Sequence, residues 1–516
     1  MLDVKNLTIE LKDGGFLIND LSFSVKGGDK LAIIGEEGTG KSTLLKAIIN
    51  PKLISDYAIV TGGISNSKVK IGYCEQNLNE GWNNYSVMYF FLKENLESEE
   101  DWEVYNQIGE ICKLFDLLHL KKELLDNEQF ISTLSGGEKV KLQLCKILLS
   151  KSDILLLDEP TNDLDIQTLD WLESFIVSLN IPVIYVSHDV KLLEKTANRI
   201  LLIEYSKNRK KVKQVIKNQT YTEFITEREN LMQKQEQIAT MQQREYSERK
   251  KTLSHIKSSV RSNQIKIKDS AVRRTLNKKM ANILAQEEQL KKFKENMQEM
   301  PNYDEFMVLS FMQDINVPKG KTILDFKIPE LSIKNTVLAK NISLTIKGGS
   351  KIAIIGENGC GKSTLLKHIY KHYNSGNRNV KIAYIPQNYN EYFDMNMSAT
   401  EFLNMKLEKV IAETGINIST YLACLKFSRN DMLKPISQLS YGQKVKIILL
   451  DLTLNDYEVL ILDELTRNLS PLSITVINNL FKSYTGNIIS VTHDRKFIED
   501  VIDEVYVFTK NGLIKK

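Results

Sequence analysis

The sequence predicts an α/β fold built twice in one chain, the two copies joined by a long antiparallel helical hairpin. Three observations carry this expectation. A segment from Leu31, LAIIGEEGTGKSTLL, returns from Ile352 as IAIIGENGCGKSTLL, an offset of 321 residues in a chain of 516. Within each copy, short β-branched runs alternate with amphipathic stretches, the pattern of a parallel sheet flanked by helices. Between the copies, from Glu223 to Met300, there is neither Gly nor Pro. The expected domains are residues 1–222, 223–300 and 301–516.

The elements follow in order. Met1-Leu2-Asp3-Val4-Lys5 opens directly into a strand pattern, with no signal peptide in view. LSFSVKGGDK from Leu21 and ISLTIKGGSK from Ile342 lead into the repeated segment. Apolar runs such as Ile154-Leu155-Leu156-Leu157 are short and end in Asp158, so they read as buried strands. LSGGE from Leu134 and LSYGQ from Leu439 each lie 24 residues before an aspartate, Asp158 and Asp463, and His188 and His493 each fall 30 residues beyond it. So long a period means a domain duplication rather than a solenoid. In the connecting stretch, Phe224, Leu231 and Ile238 recur at sevens, as do Leu276, Ile283, Leu290 and Met297. Two packed helices of about 30 residues follow from this, each reaching roughly 45 Å. Pro301 is expected to end the second.

Hydrophobic residues make up 42% and charged residues 26%, a globular composition. No window approaches the roughly 20 apolar residues that span a bilayer. The five cysteines are scattered without metal or disulfide spacing, which suits a reducing cytoplasm. The net charge of +4 hides a local excess: Arg249 to Lys279 carries eleven Lys/Arg against one acid, Asp269. A basic hairpin tip on a mildly acidic body points to a polyanion contact. Lys257, Arg261, Lys266 and Lys268 are the candidate cations. Ile256 and Val260 either press on a partner or merely close the helix pair.

The repeated segment carries the chemistry. Gly35-Glu36-Glu37-Gly38-Thr39-Gly40-Lys41-Ser42 and Gly356-Glu357-Asn358-Gly359-Cys360-Gly361-Lys362-Ser363 both fit GxxxxGK[ST], and Thr43 and Thr364 continue them. Such loops wrap phosphates with backbone N–H groups at a helix N-terminus. Lys41 and Lys362 add a charge, and Ser42 and Ser363 offer hydroxyls to Mg²⁺. Asp158 and Asp463, each at the end of an apolar strand, suit Mg²⁺ as well, while Glu159 and Glu464 suit the role of base for an attacking water.

With Gln76 and Gln387 upstream and His188 and His493 downstream, these motifs resemble those of the ABC ATPases over the whole chain. The resemblance implies two ABC-type nucleotide-binding domains facing head to tail, with ATP and Mg²⁺ as cofactors. One site would combine Lys41, Ser42, Gln76, Asp158, Glu159 and His188 with Ser440, Gly442 and Gln443. The other would combine Lys362, Ser363, Gln387, Asp463, Glu464 and His493 with Ser135, Gly136, Gly137 and Glu138. The glutamines would also touch the metal. Phe16 lies 25 residues before Lys41, where the family stacks an aromatic on adenine; Val337 holds the equivalent place. The second half departs from the pattern, reading Glu464-Leu465-Thr466 against Glu159-Pro160-Thr161, and Ser470 against Asp165. Both sites are expected to turn over, at different rates.

Two cassettes, a helical linker and no membrane domain resemble the ABC-F family. The resemblance implies a cytoplasmic partner, the 70S ribosome, met through its E site, 23S rRNA and P-site tRNA, with no membrane subunit and no DNA. Gln76 to Leu134 spans 58 residues against 52 from Gln387 to Leu439, so any arm is short. That short arm, the long hairpin and the altered TRNLSPLS stretch resemble the antibiotic-resistance branch, which protects ribosomes from lincosamides, pleuromutilins and streptogramin A. A housekeeping ABC-F translation factor and a tandem importer ATPase are the alternatives. An importer has no use for a basic hairpin. A DNA-repair ATPase would place its coiled coil inside one cassette.

Overall fold

The computed structural model describes residues 2–516 except 66–68, 77, 93–100, 126–128, 163, 206–211, 267–269, 299–308, 313, 314, 316, 317, 319, 334, 335, 375–379 and 468, and excludes the side chains of 101–107 and 264–273. It forms two compact units: residues 1–221 with 304–516, and residues 222–303.

In the first half, six strands lie in the order Ile71–Cys74, Ile154–Asp158, Val183–Val186, Lys30–Gly35, Arg199–Tyr205, Val212–Lys217. The first five are mutually parallel and the last is antiparallel. Continuous apolar runs are what a sheet covered on both faces requires, and Ile154–Asp158 is buried at every position. A three-stranded antiparallel sheet, Phe16–Val25, Leu2–Leu11, Ala58–Ser65, closes one face. Leu2, Ile9, Leu44, Leu45, Leu156 and Ile184 share the core between them. The second half repeats the plan, in the order Ile382–Ile385, Val459–Asp463, Asn487–Val491, Lys351–Ile355, Glu504–Thr509, Gly512–Lys515, with a ribbon of Thr322–Ile333 and Thr336–Lys347 over it. In both halves the phosphate-loop lysine starts a helix directly after a central strand: Lys41–Ile49 after Lys30–Gly35, and Lys362–Asn374 after Lys351–Ile355.

The second unit is a pair of helices, Tyr221–Lys266 and Ser270–Glu295. The first has 46 residues, about 69 Å at 1.5 Å per residue, well beyond the length expected from the sequence. The second ends at Glu295, six residues before Pro301, which lies outside the described residues. The helix closes in a tightened last turn, in which the Asn296 N–H is shared with the Phe293 carbonyl and the Met297 N–H goes to Lys294. Val260, Leu276, Ile283 and Met280 pack together between the helices. The heptad reading fails at Leu231 and Ile238, which are 56% and 46% exposed, because they lie past the point where the shorter helix could cover them. No described helix is long and apolar enough to cross a membrane.

Candidate functional site

Each phosphate loop is held by its own lysine. Lys41 Nζ donates to the carbonyls of Gly35 and Glu36 at 3.0 and 2.8 Å, and Lys362 Nζ to those of Gly356 and Glu357 at 2.8 Å each. Two of the three N–H bonds are used, which leaves one for an anion. Burial pushes the Lys41 ammonium below its ordinary value, against the pull of Glu159 and Glu37. Gly40 has φ of 89°, and a Cβ there would sit 3.0 Å from Leu17 Cβ, so only glycine fits both backbone and space. Leu17 is thus pressed on the loop, and its neighbour Phe16 stays 42% exposed beside it; Val337 is 45% exposed. Thr39 is fully buried and its hydroxyl turns back to the Glu36 carbonyl at 2.8 Å.

The strand ends deliver the carboxylates. Ser42 Oγ donates to Asp158 Oδ1 at 2.9 Å, and Tyr73 to Oδ2 at 3.2 Å. Asp463 is 1% exposed with neither carboxylate oxygen hydrogen-bonded. Burial pushes it up to about 6, opposed by the nearby Ser363 hydroxyl. Two buried, unpartnered anionic oxygens beside a serine hydroxyl are a donor set that fits Mg²⁺, a hard cation held by few protein oxygens and the substrate's phosphates.

Next in chain, Glu159 and Glu464 sit at φ of 49° and 53°, a left-handed backbone that a glutamate rarely adopts. The turn carries each side chain away from the strand and back toward its glutamine and histidine. Glu159 Oε2 accepts from Gln76 Nε2 at 3.0 Å and from Asn162 Nδ2 at 2.8 Å, and its Oε1 lies 3.0 Å from His188 Nε2. Burial raises it, yet the His188 hydrogen bond and charge, Asn162 and Lys41 outweigh burial and hold the carboxyl down at about 2. The second copy is looser. Gln387 Nε2 donates to Glu464 at 2.8 Å, but His493 Nε2 stands 3.8 Å away, and Arg467 replaces Asn162 at 3.5 Å.

Ser135 and Ser440 begin the helices Gly136–Leu149 and Tyr441–Leu454, each in a capping box with the third helical residue, Glu138 or Gln443. A cavity of about 620 Å³ is lined by Lys362, Ser363, Gln387, Glu464 and His493 from the second half together with Gly136 from the first. On the opposite side, Tyr441 lies near enough to Glu37 to feel its charge, with burial pushing its hydroxyl up to about 12. His188 Nδ1 reaches the Leu469 carbonyl of the other half at 2.5 Å. Ser470 and Asp165 differ in charge yet serve alike as helix caps, accepting from Ser473 N at 3.2 Å and from Thr168 N at 2.8 Å.

In the hairpin, Lys257 is paired with Glu287 across the helices at 2.8 Å, Arg261 is exposed, and the side chains of Lys266 and Lys268 lie outside the described residues. Val260 is buried in the helix pair, while Ile256 is 45% exposed.

Sequence reasoning missed the left-handed glutamates, the Tyr389–Tyr441 stack at 4.8 Å and a buried arginine, Arg495, between the halves. Only the last had a signal, as a charge unmatched between aligned copies.

Two phosphate loops, each with its aspartate, glutamate and histidine, define a twin-cassette ATPase. The chain belongs to the ABC transporter family, whose pattern matches residues 18–162 and 339–467, and within it to the twin-cassette ABC-F proteins. It is similar to the ATP-binding protein Uup of Buchnera aphidicola subsp. Acyrthosiphon pisum, 30% identical over 96% of this chain and 79% of the relative. It is equally similar to the ribosome protection protein VmlR of Bacillus subtilis, 30% identical over 100% and 88%. In fold it is like the archaeal ribosome recycling factor aABCE1, solved in complex with the ribosomal stalk protein aP1. The TM-score is 0.60 at 18% identity, covering 97% of this chain and 87% of that one.

Proposed function

We propose that the protein is an ATP-driven ribosome-binding factor that directs its interdomain hairpin toward the peptidyl-transferase centre and protects the ribosome from antibiotics of the lincosamide, pleuromutilin and streptogramin A type. The observation that carries this is the end-to-end likeness to a ribosome protection protein, which takes in the hairpin as well as both cassettes. The basic segment from Arg249 to Lys279 supports an rRNA surface, since clustered cations gain affinity by releasing phosphate counterions. The ribosome would be met at its E site, near 23S rRNA and P-site tRNA.

In this reading ATP closes two composite sites. Lys41 and Lys362 hold the phosphates, and the helix N-termini at Ser440 and Ser135 face them from the other half. Ser42 with Asp158, and Ser363 with Asp463, would hold Mg²⁺, which neutralises charge on the phosphates when bound. Glu159, kept ionised, takes the proton of the attacking water; Gln76 and His188 fix its direction. Glu464 does the same with looser support. The Uup relative, at the same identity, favours a housekeeping translation factor as the second reading.

The test uses Glu159→Gln with Glu464→Gln. With ATP, this variant should co-sediment with 70S ribosomes and lose turnover, and its ribosome affinity should fall by orders of magnitude over a few-fold rise in salt. Expression of the unmodified chain should raise tolerance to the named drugs. Ribosome binding without any change in tolerance selects the housekeeping reading; absence of ribosome binding ends both.

A further inference from the structure

In the interface between the cassettes the halves repeat at an offset of 305 residues, so Asp189 matches Asp494 and Lys191 matches Lys496. The contacts repeat too. Lys191 pairs with Glu499 at 2.7 Å, and its counterpart Lys496 pairs with Glu194, the counterpart of Glu499, at 3.4 Å. Such reciprocal pairs are the mark of a pseudo-twofold interface.

The symmetry fails around one side chain. Val190 on one side is Arg495 on the other. Arg495 is 7% exposed. Its Nη1 donates to Asp170 Oδ1 at 2.7 Å and Glu173 Oε2 at 2.8 Å, and its Nη2 to Asp189 Oδ1 at 3.0 Å. All three acceptors belong to the first cassette. The counterparts of Asp170 and Glu173 are Thr475 and Asn478. Asn478 is 1% exposed and neither its oxygen nor its nitrogen is hydrogen-bonded. One side of the axis is a cluster of an arginine and three acids; the other lacks the arginine, keeps only Asp494 of the acids and is under-bonded.

The position of this cluster gives it a consequence for chemistry. Asp189 follows His188, which stands 3.0 Å from Glu159, and the same Asp189 oxygen caps the helix Val190–Thr196 through Leu192 N at 2.7 Å. Arg495 stands two residues after His493, at the start of the helix Arg495–Val501. A planar guanidinium fixed by three carboxylates transmits displacement, because two of them, Glu173 and Asp189, are 10% and 9% exposed and their charge-assisted bonds are costly to break. Val190 can slide over its neighbours without such a loss.

We propose that Arg495 is the positioning residue that couples the two ATP sites, tying the loop that carries His188 to the loop that carries His493. The proposal rests on the two-site reading above. It is tested by comparing the ATPase rate of the unmodified chain with the sum of the rates of Glu159→Gln and Glu464→Gln measured singly. Independent sites give a ratio of one; coupled sites exceed it severalfold. The informative background is Arg495→Val with Asp170→Thr and Glu173→Asn. It copies onto one side the residues that the fold already holds on the other: Asp189 loses the guanidinium but keeps the Leu192 N–H, just as its counterpart Asp494 is held by the N–H groups of Lys496 and Phe497. Lys195, released from Glu173, is 57% exposed and returns to water. In this background the ratio should fall to within about twofold of one, with KM for ATP at each singly active site unchanged. Arg495→Lys, which keeps the charge but not the fork, should give an intermediate ratio. A ratio that stays high in the symmetrised protein overturns the proposal, as does a rise in KM at both sites, which would mean general failure of the interface. Undiminished turnover in the double glutamine variant would instead overturn the two-site reading, and this inference with it.

Discussion

Replacing His188 by alanine should damage turnover far more than replacing His493, although the two histidines occupy equivalent places. His188 Nε2 lies 3.0 Å from Glu159 and His493 Nε2 lies 3.8 Å from Glu464. The first is within hydrogen-bond range of its carboxylate; the second is outside that range of its own. A hydrogen bond to a charged group contributes about 1.5–3 kcal/mol, and each 1.36 kcal/mol of barrier is about tenfold in rate. His188→Ala should therefore cost roughly 10- to 150-fold through its hold on Glu159. Any contact that both histidines make with the phosphates adds equally to both losses and cancels in the comparison. The assay is phosphate release at saturating ATP, His188→Ala being read in a Glu464→Gln background and His493→Ala in a Glu159→Gln background. Losses that agree within about twofold would refute the argument that the shorter contact fixes the glutamate.

Three further outcomes follow from the geometry. Gly40→Ala should abolish ATP binding at the first site, because the residue meets Leu17 at a φ of 89°; Gly38→Ala, at φ of 73° with nothing within 4 Å, should cost only backbone strain of about 1–2 kcal/mol. Titration with a fluorescent ATP analogue separates the two. Asp494 is pushed up to about 6 by burial, with Asp189 adding to it. A raised acid costs nothing below its unfolded value, and the cost grows as pH rises from about 4 to about 6, reaching about 3 kcal/mol at 1.36 kcal/mol per unit. Asp494→Asn should thus stabilise the protein more at pH 7 than at pH 4.5 in denaturant unfolding; an equal gain at both would remove the burial argument. Arg261→Glu reverses an exposed charge on the hairpin and leaves Val260 in its packing, so ribosome co-sedimentation and drug tolerance should drop while basal ATPase stays unchanged. Unaltered binding would make the hairpin a spacer.

Much of the cassette chemistry could be read in the sequence because it depends on chain-local geometry. A phosphate loop needs its glycines, lysine and serine at fixed spacing, and a buried strand ending in Asp158 or Asp463 reads as an apolar run stopped by an acid. What could not be read depends on neighbours far apart in the chain. The left-handed turn at Glu159 has no local signal, since nothing about a glutamate favours that backbone. The exposure of Leu231 and Ile238 follows from where the second helix stops, and no proline marks that point. Lys257 reads as a free cation in the sequence, yet Glu287, thirty residues on, meets it across the hairpin. Arg495 is separated from Asp170 by 325 residues, so only alignment of the copies could have flagged it.

The two copies diverge in a particular layer. Lys41 and Lys362 make the same two carbonyl contacts, Ser135 and Ser440 cap their helices alike, and Gln76 and Gln387 reach their glutamates at 3.0 and 2.8 Å. The lysines, glutamines and cap serines that would meet the phosphates are therefore alike. The differences lie one residue further out: Asn162 against Arg467, His188 at 3.0 Å against His493 at 3.8 Å, and Val190 against Arg495. These groups orient the glutamate or join the halves, and most do not meet the phosphates. Divergence concentrated in that layer should leave the two sites close in ATP affinity and separate them in the rate at which bound ATP is cleaved. A protein that must hold a partner for a set time needs that combination, because both sites can fill and close together while one of them decides when the pair reopens. If KM at the two singly active sites differed by more than kcat does, the layer argument would fail, and the asymmetry would have to be sought in Phe16 and Val337 beside the phosphate loops.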